Sequence, residues 1–118
     1  MKRGGIYFAQ LDPTRGAEIQ KTRPARNKTR PVVLVSNDIA NRASSLVTIV
    51  PLSSNTARVF PFEVAISAKQ SGLPKESKAM AQQILTLDKT RLASTRSGFL
   101  QTAQLKALDD ALRLHLAL

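Results

Sequence analysis

The sequence predicts one small, mainly β domain in which a twisted or barrel-like sheet is followed by a C-terminal helix. The chain of 118 residues has the length of a single domain, so we treat residues 1–118 as one unit. Four β-rich runs come first and are joined by turn-like segments. A leucine repeat with helical spacing follows them, which favours a small curled sheet over an alternating βαβ fold.

The first half of the chain contains the strongest strand signals. A β-rich run over 5–11 ends in the turn-forming segment 12–16. Residues 31–35 are apolar at every position and rich in valine, which predicts a central strand buried on both faces. Residues 36–38 then offer a cap for one helical turn, and 46–52 predict a third strand before the polar loop.

The second half of the chain is less uniform. Residues 60–66 predict a fourth strand, which Pro61 restricts to a sheet edge or to the first strand position. The segment 67–78 is rich in turn formers, and 79–87 is ambiguous between strand and helix. Thr102 can cap a helix that we expect to pack along much of its girth. Its apolar positions are Leu105, Leu108, Leu112 and Leu116, widened by Ala107, Ala111, Leu114 and Leu118.

Positive charge is concentrated near the start of the chain. The net charge is +10, and residues 1–30 hold eight of the eighteen Lys and Arg against two of the eight Asp and Glu. A compact basic cluster indicates a polyanionic partner, because each neutralised phosphate releases counterions. A solvated loop that only aids solubility is the plainer alternative. A membrane surface fits less well, because Pro and Asn interrupt the cluster and no amphipathic helical period runs through it.

Composition excludes several classes of site. The chain has no Cys and one His, which removes disulfides, thiolate chemistry and His-rich metal sites. Its acidic residues are scattered singly except Asp109-Asp110, which the helical period places on a solvated face, so we expect no metal and no cofactor. We also expect no membrane span and, with no apolar segment behind Lys2 and Arg3, a cytoplasmic protein.

A basic nucleic-acid-binding domain without a metal can still cleave RNA, because the 2′-hydroxyl supplies the nucleophile. The reaction needs a base, an acid and donors for the developing phosphorane charge. Arg30 stands where the strongest strand begins and can fork onto a phosphate, although it can equally be a solvated residue. Glu18 can accept a proton or orient an arginine, and Ser53 and Ser54 offer hydroxyl donors. His115, near the end of the helix, we expect to be structural.

Short motifs in a fixed order cover almost the whole chain. They are RGGIY at 3–7, LDPTRGAE at 11–18, RPVVLVSND at 30–38, VPLSS at 50–54, PFEV at 61–64, QI at 83–84 and DKTRL at 88–92. This ordered set, followed by the final helix, resembles the MazF/PemK family of toxin endoribonucleases. No single motif is diagnostic, and the order of the set carries the resemblance.

The resemblance implies an SH3-like barrel of the CcdB/PemK-like type that forms a homodimer and binds single-stranded RNA across the dimer groove. It further implies metal-independent, sequence-selective cleavage through the 2′-hydroxyl, and neutralisation by a cognate antitoxin. The family's catalytic pair, an Arg at the start of the second strand and a Thr after the third, corresponds to Arg30 and Ser53. Glu18 lies in the Gly-x-Glu loop and is the candidate base. The proposed RNA contacts are Arg23, Arg26, Lys28, Ser54 and Gln83, the last of which fits a buried structural amide equally well.

A short duplication leaves two candidates for the functional arginine. The motif KTRP occurs at 21–24 and again at 28–31, so either Arg23 or Arg30 is followed by proline. Counting from Glu18 favours Arg23, whereas counting from the strand favours Arg30. The choice of Arg23 would run the strand through the polar residues 25–28 and place Pro31 in its middle, so we expect Arg30.

Two other functions remain open at this point. A non-catalytic basic barrel that binds nucleic acid explains the charge, and would retain RNA without cutting it. A toxin of the same fold that inhibits a topoisomerase would require that enzyme and leave RNA intact. A neighbouring reading frame for a short acidic protein would favour either toxin over the plain binding module.

Overall fold

The computed structural model describes residues 1–11 and 29–118, and in this part of the chain a single antiparallel sheet is combined with three helices. The elements are β1 (Gly5–Gln10), β2 (Thr29–Leu34), α1 (Asp38–Ala43), β3 (Leu46–Ser53), β4 (Glu63–Ile66), α2 (Ala68–Ser71), β5 (Ser77–Met80), β6 (Leu85–Asp88), β7 (Gly98–Phe99) and α3 (Thr102–Leu116). Short 3-10 turns lie at Ala81–Gln83 and Lys89–Arg91. The predicted class, mainly β with a C-terminal helix, is confirmed.

The sheet curls because β3 changes partners along its length. The strand order is β4-β5-β3-β2-β1-β7, and β6 pairs with β3 outside this path. On one edge β3 pairs with β6 through residues 46–49 and with β5 through residues 52–53, while β2 lies on its other edge. Pro51 stands at this change of partner, where a residue without a backbone N–H is tolerated. The outcome is the barrel-like sheet that was expected.

Two apolar clusters lie on opposite sides of the central strands. Side chains of a strand alternate between faces, so neighbouring residues of β2 join different clusters. The first cluster lies against α3 and includes Ile6, Val33, Val50, Leu52, Leu108 and Leu112. The second includes Tyr7, Ala9, Val32, Leu34, Ile49 and Leu87. The prediction of a central strand that is buried on both faces is therefore confirmed for β2.

The region 60–87 differs from its prediction. The fourth strand begins at Glu63, because Phe60 accepts the Glu63 N–H in a turn at 2.9 Å. The segment 67–78 contains α2, capped by Ser67 and ended by Gly72 at φ 73°, followed by the start of β5. Residues 79–87 are neither one strand nor one helix, since the 3-10 turn separates β5 from β6.

Helix α3 is covered over part of its length only. Its N-cap is Gln101 and it begins at Thr102, so Thr102 is the first helical residue and not the cap. Leu108 and Leu112 are buried, whereas Leu114 is 57% exposed, so the expectation of packing along much of the girth was wrong. Leu116, the last member of the leucine repeat, is also 48% exposed, so the repeat is buried at Leu108 and Leu112 but not at its end.

Arg3 connects the N-terminal residues to α1 and α3. Its contact with Asp109 shows that the prediction of a solvated Asp109-Asp110 pair was wrong for Asp109. Arg3 donates to the Val35 carbonyl at 2.7 Å and to Asp109 Oδ1 at 2.6 Å, while its backbone N–H donates to Asp38. Asp109 is therefore an ion-pair partner, and only Asp110 lies on the solvated face.

Candidate nucleic-acid interface

Three polar side chains come from neighbouring strands at one level of the sheet. The β2–β3 pairing ends at Val32 and Pro51, and Arg30 and Ser53 each lie two residues beyond this last pair, at the neighbouring ends of the two strands. The β3–β5 register pairs Ser53 with Lys78. Strand alternation puts Arg30 on the same face as Val32, away from α3. We call this row, Arg30, Ser53 and Lys78, the polar row.

Arg30 is exposed at the second position of β2. It pairs with Ala9 of β1, and Pro31 next to it pairs with Phe8, so its backbone is fixed from one side by β1. A guanidinium carries five donors in a planar fork and keeps its charge at neutral pH. Held at the end of a paired strand, this side chain can bind a phosphate by two parallel hydrogen bonds.

Ser53 is the last residue of β3 and its hydroxyl faces a tight turn. Its Oγ accepts the backbone N–H of Asn55 at 3.1 Å, and the side chain is half-buried. This bond uses the oxygen as an acceptor, so the O–H is left to donate to a ligand. Ser54, the next residue, is fully on the exposed side of the turn.

Lys78 is the third residue of the polar row and forms a buried ion pair with Glu63. Its Nζ lies 3.0 Å from Glu63 Oε1 and donates to the Arg58 carbonyl at 2.8 Å. The side chains of Lys78 and Glu63 are 10% and 2% exposed. Glu63 also accepts the Phe60 N–H at 3.0 Å and the Gln82 amide at 2.7 Å. The pair therefore fixes the turn before β4 to the polar row.

The environment of Glu63 keeps this carboxylate charged. Burial raises its pKa, but the hydrogen bonds from Phe60, Gln82 and Lys78, together with the charge of Lys78, outweigh burial. The net effect is a pKa of Glu63 below its usual value. Lys78 is consequently matched by a full negative charge, and the two ions cancel inside the sheet.

An aromatic cluster lies beside this ion pair. The rings of Phe60 and Phe62 stack with centroids 5.3 Å apart and planes 7° from parallel. The guanidinium of Arg58 lies over the Phe60 ring at 5.3 Å, and Lys78 Nζ lies 5.9 Å from the same centroid. Phe60 is 39% exposed although it is a large apolar side chain. We call Arg58, Phe60 and Phe62 the aromatic platform.

The residues predicted from the sequence differ in where the structure places them. Gln83 is exposed in the 3-10 turn, so it is available for a contact and the buried-amide interpretation was wrong. The amide that is bonded inside the protein is its half-buried neighbour Gln82, which donates to Glu63. The predicted residues Glu18, Arg23, Arg26 and Lys28 lie outside the described residues. His115 is exposed on α3, the helix that packs against the opposite face from the polar row.

Lys78, Glu63 and Arg58 were not predicted as part of the site. The segment before residue 79 was read as turns, which hid the strand that pairs Lys78 with Ser53. One signal was available, since Lys78 stands between Ser77 and Ala79 in a run of small residues, where a lysine needs a buried partner. The sequence alone could not show that this partner is fifteen residues upstream.

Across residues 1–11 and 29–118, no three His, Asp or Glu side chains are grouped so as to hold a metal ion. In the same ranges no helix combines the length and apolar character that crossing a bilayer requires.

The sequence of this chain is similar to one known protein family and to characterised members of it. The family model for the PemK-like, MazF-like toxin of type II toxin-antitoxin systems matches residues 26–116. The chain is 42% identical to the endoribonuclease MazF9 of Mycobacterium tuberculosis, covering 100% of this chain and 98% of that protein. It is 34% identical to the endoribonuclease EndoA of Bacillus subtilis, covering 100% and 96%.

Solved structures agree with the fold. A mycobacterial endoribonuclease in complex with its cognate antitoxin has a TM-score of 0.76 and 27% identity, covering 100% of this chain and 96% of that one. MazF from Deinococcus radiodurans also reaches 0.76, and at 19% identity it supports the fold alone. A family match that contains the whole polar row, together with relatives aligned along their full length, shows that this chain belongs to the PemK-like, MazF-like toxins of type II toxin-antitoxin systems.

Proposed function

We propose that this chain is an endoribonuclease toxin that cleaves single-stranded RNA through its 2′-hydroxyl, without a metal ion, and that a cognate antitoxin neutralises it. Membership of the toxin family supports this proposal, as do two relatives that are named endoribonucleases. The substrate class is messenger RNA, met in the cytoplasm. Selectivity for a short motif follows from contacts to unstacked bases.

The observation that carries the proposal is the position of Arg30 and Ser53, each two residues beyond the last pair of β2 and β3 and on the same face of the sheet. Two polar side chains at neighbouring strand ends and on one face can bind the same phosphate. The family match begins at residue 26, so it contains Arg30 and leaves out Arg23. We assign the functional arginine to Arg30 on these two grounds.

The proposed roles follow from what each group can do. The guanidinium of Arg30 is a cation with several N–H donors, so it stabilises the charge that develops on the phosphorane and can donate a proton to the leaving oxygen. Ser53 donates its hydroxyl hydrogen to a phosphate oxygen. A guanidinium is a poor proton acceptor, and we therefore assign the 2′ proton to Glu18 or to solvent.

The remaining proposed contacts surround this pair. Ser54 and Gln83 are exposed, so either can bind RNA. Arg23, Arg26 and Lys28 precede β2 in the chain and would add phosphate contacts to the same partner. We further propose a homodimer whose groove holds the RNA, and that the antitoxin occupies that groove. A solved relative in complex with its cognate antitoxin supports the last point.

Cleavage of a long unstructured transcript in EDTA tests the proposal. Wild-type protein should produce discrete cuts, Arg30→Ala should abolish them, and Arg23→Ala should keep them. Glu18→Gln should slow cleavage if this carboxylate takes the 2′ proton.

Other results would redirect the assignment. Loss of cleavage in Arg23→Ala with retention in Arg30→Ala would move the functional arginine into the first copy of the duplicated motif. RNA that is retained on a filter but never cut would make the chain a binding module. Inhibition of a topoisomerase with RNA intact would favour the third function.

A further inference from the structure

The aromatic platform has no role in the proposed cleavage chemistry, yet it lies next to the polar row. Lys78 joins the two, because it pairs with Ser53 along the strands and its Nζ lies 5.9 Å from the Phe60 centroid. Exposure is high for such a large apolar group, with Phe60 at 39% and the adjacent Val59 at 42%. An exposed apolar patch of this kind indicates a contact surface.

The exposed ring is held in place by buried polar contacts. Phe60 donates its N–H to Glu63, and Lys78 donates to the carbonyl of Arg58, so both ends of the exposed segment are fixed. Phe62 stacks against Phe60 and adds a second constraint. A ring whose backbone and neighbour are fixed is already ordered before a ligand arrives, which lowers the entropy lost on binding.

The charges around the platform select the class of ligand. Arg58 and Arg30 are exposed cations, while Glu63 is buried and compensated by Lys78. An exposed aromatic ring combined with a guanidinium is the combination that stacks unpaired bases, because every base has a π face and its backbone carries negative charge. A purely apolar protein segment would not use these cations.

We propose that Phe60 and Arg58 form a stacking site for one unpaired base of single-stranded RNA, beside the phosphate bound by Arg30 and Ser53. This rests on the proposed function and adds a position at which the base itself contributes to binding. Phe62 and the Lys78–Glu63 pair orient the platform without contacting the base.

A fluorescent base analogue tests this site independently of cleavage. The probe is a twelve-nucleotide oligoadenylate with 2-aminopurine at one central position and 2′-deoxyribose throughout, so it cannot be cut through a 2′-hydroxyl. Wild-type protein should quench the fluorescence by stacking. Phe60→Leu should weaken binding about tenfold and abolish the quenching, since each stacked base contributes a factor of this size.

A second cation–π pair in the chain provides a matched control. Arg96 lies over the Phe99 ring at 4.8 Å, near β7 and away from the polar row. Arg96→Gln and Phe99→Leu therefore remove the same kinds of group and should leave quenching unchanged. Arg58→Gln should weaken binding and lower the slope of log affinity against log salt by about one. Thermal melting by circular dichroism confirms that each variant is folded.

Three outcomes decide the matter. Quenching that survives in folded Phe60→Leu overturns the stacking site, and cleavage of a transcript by wild-type protein shows separately whether the proposed function stands. Equal losses in Phe60→Leu and Phe99→Leu also overturn it, because the effect would not be local. Unchanged RNA binding with lost antitoxin binding in Phe60→Leu would assign the platform to the protein partner instead.

Discussion

Ser53 shows how one hydroxyl can serve both the fold and the proposed chemistry. Its oxygen accepts the Asn55 N–H that closes the turn, while its hydrogen can still point outward. The resemblance places a threonine at this position, and serine keeps the hydroxyl while losing the β-branch that restricts χ1. Serine at this position therefore keeps the hydrogen-bond donor but restricts its orientation less than threonine would.

We expect Ser53→Ala to lower the cleavage rate about tenfold to a hundredfold, since a hydrogen bond to a charged group contributes about 1.5–3 kcal/mol. Ser53→Thr should match or exceed the wild-type rate, because its rotamer is more restricted. Single-turnover cleavage of a labelled transcript measures both.

Ser44→Ala is the control for the turn itself. Ser44 Oγ accepts the Leu46 N–H at 3.0 Å, the same local bond that Ser53 makes, but outside the polar row. A loss of cleavage as large in Ser44→Ala as in Ser53→Ala would mean that only the turn matters.

At the scale of elements, α3 stabilises the sheet through a short stretch of its length. Leu108 is fully buried in the first cluster, whereas Leu114 is 57% exposed on the same helix. Leu114 lies six residues after Leu108, which places it about 120° around the helix from Leu108 and outside the first cluster. The position of each leucine around the helix axis therefore decides which one is covered.

We therefore expect Leu108→Ala to lower the free energy of unfolding by about 2–5 kcal/mol, because it removes apolar contacts and leaves a cavity. Leu114→Ala should change it by less than about 0.5 kcal/mol in the monomer. Urea denaturation followed by circular dichroism measures the two variants side by side. Similar losses in both would show that the exposed end of α3 is covered in solution.

The sequence predicted elements well where one residue type repeats. The apolar run 31–35 predicted a buried strand and the leucines of α3 predicted a helix. The cap expected within 36–38 is Asn37, which accepts the Ala40 N–H. The region 67–87 was misread, because α2 and β5 have four residues each. Such short elements are stabilised by tertiary pairing rather than by local propensity, so their own sequence does not predict them.

The candidate site was predictable in part for the same reason. Arg30 and Ser53 stand at the ends of strong strands, so both lie near the last β2–β3 pair once those strands pair. Lys78 and Glu63 belong to two short strands, and the platform depends on an ion pair between them. Long-range pairing of short elements cannot be read from either segment alone.

At the scale of the whole molecule, the buried ion pair links acid stability to the turn that carries the platform. A carboxylate whose pKa is lowered on folding stabilises the native state at pH values above its ordinary pKa, about 4.5 for Glu63. That contribution is lost as the pH falls from this value through the lower pKa of folded Glu63. The stability of the protein should therefore drop on acidification below about pH 4.

We expect Glu63→Gln to flatten this part of the pH profile and to lower stability at pH 7, where Lys78 would lose its counter-ion. Thermal melting between pH 2.5 and 7 compares the two proteins. Asp110→Asn is the control, because Asp110 makes only exposed pairs with Lys106 and Arg113. If the melting temperature falls equally steeply at acidic pH in wild type and in Glu63→Gln, other carboxylates cause the pH dependence of stability.

The register between β2 and β3 also bears on how this chain can change during evolution. A substitution at 32–34 or 49–51 alters one contact, but a single deletion there would shift the downstream half of a strand by one place and turn its side chains to the other face. Arg30 and Ser53 would then part even though both residues were still present. Gain or loss of length is tolerated only outside the paired strands. The first copy of the KTRP motif, 21–24, precedes β2 in the chain, whereas the second copy, 28–31, includes the first residues of the strand. A change of length ahead of residue 29 would leave the β2–β3 register unchanged, so that is where this site can accommodate one.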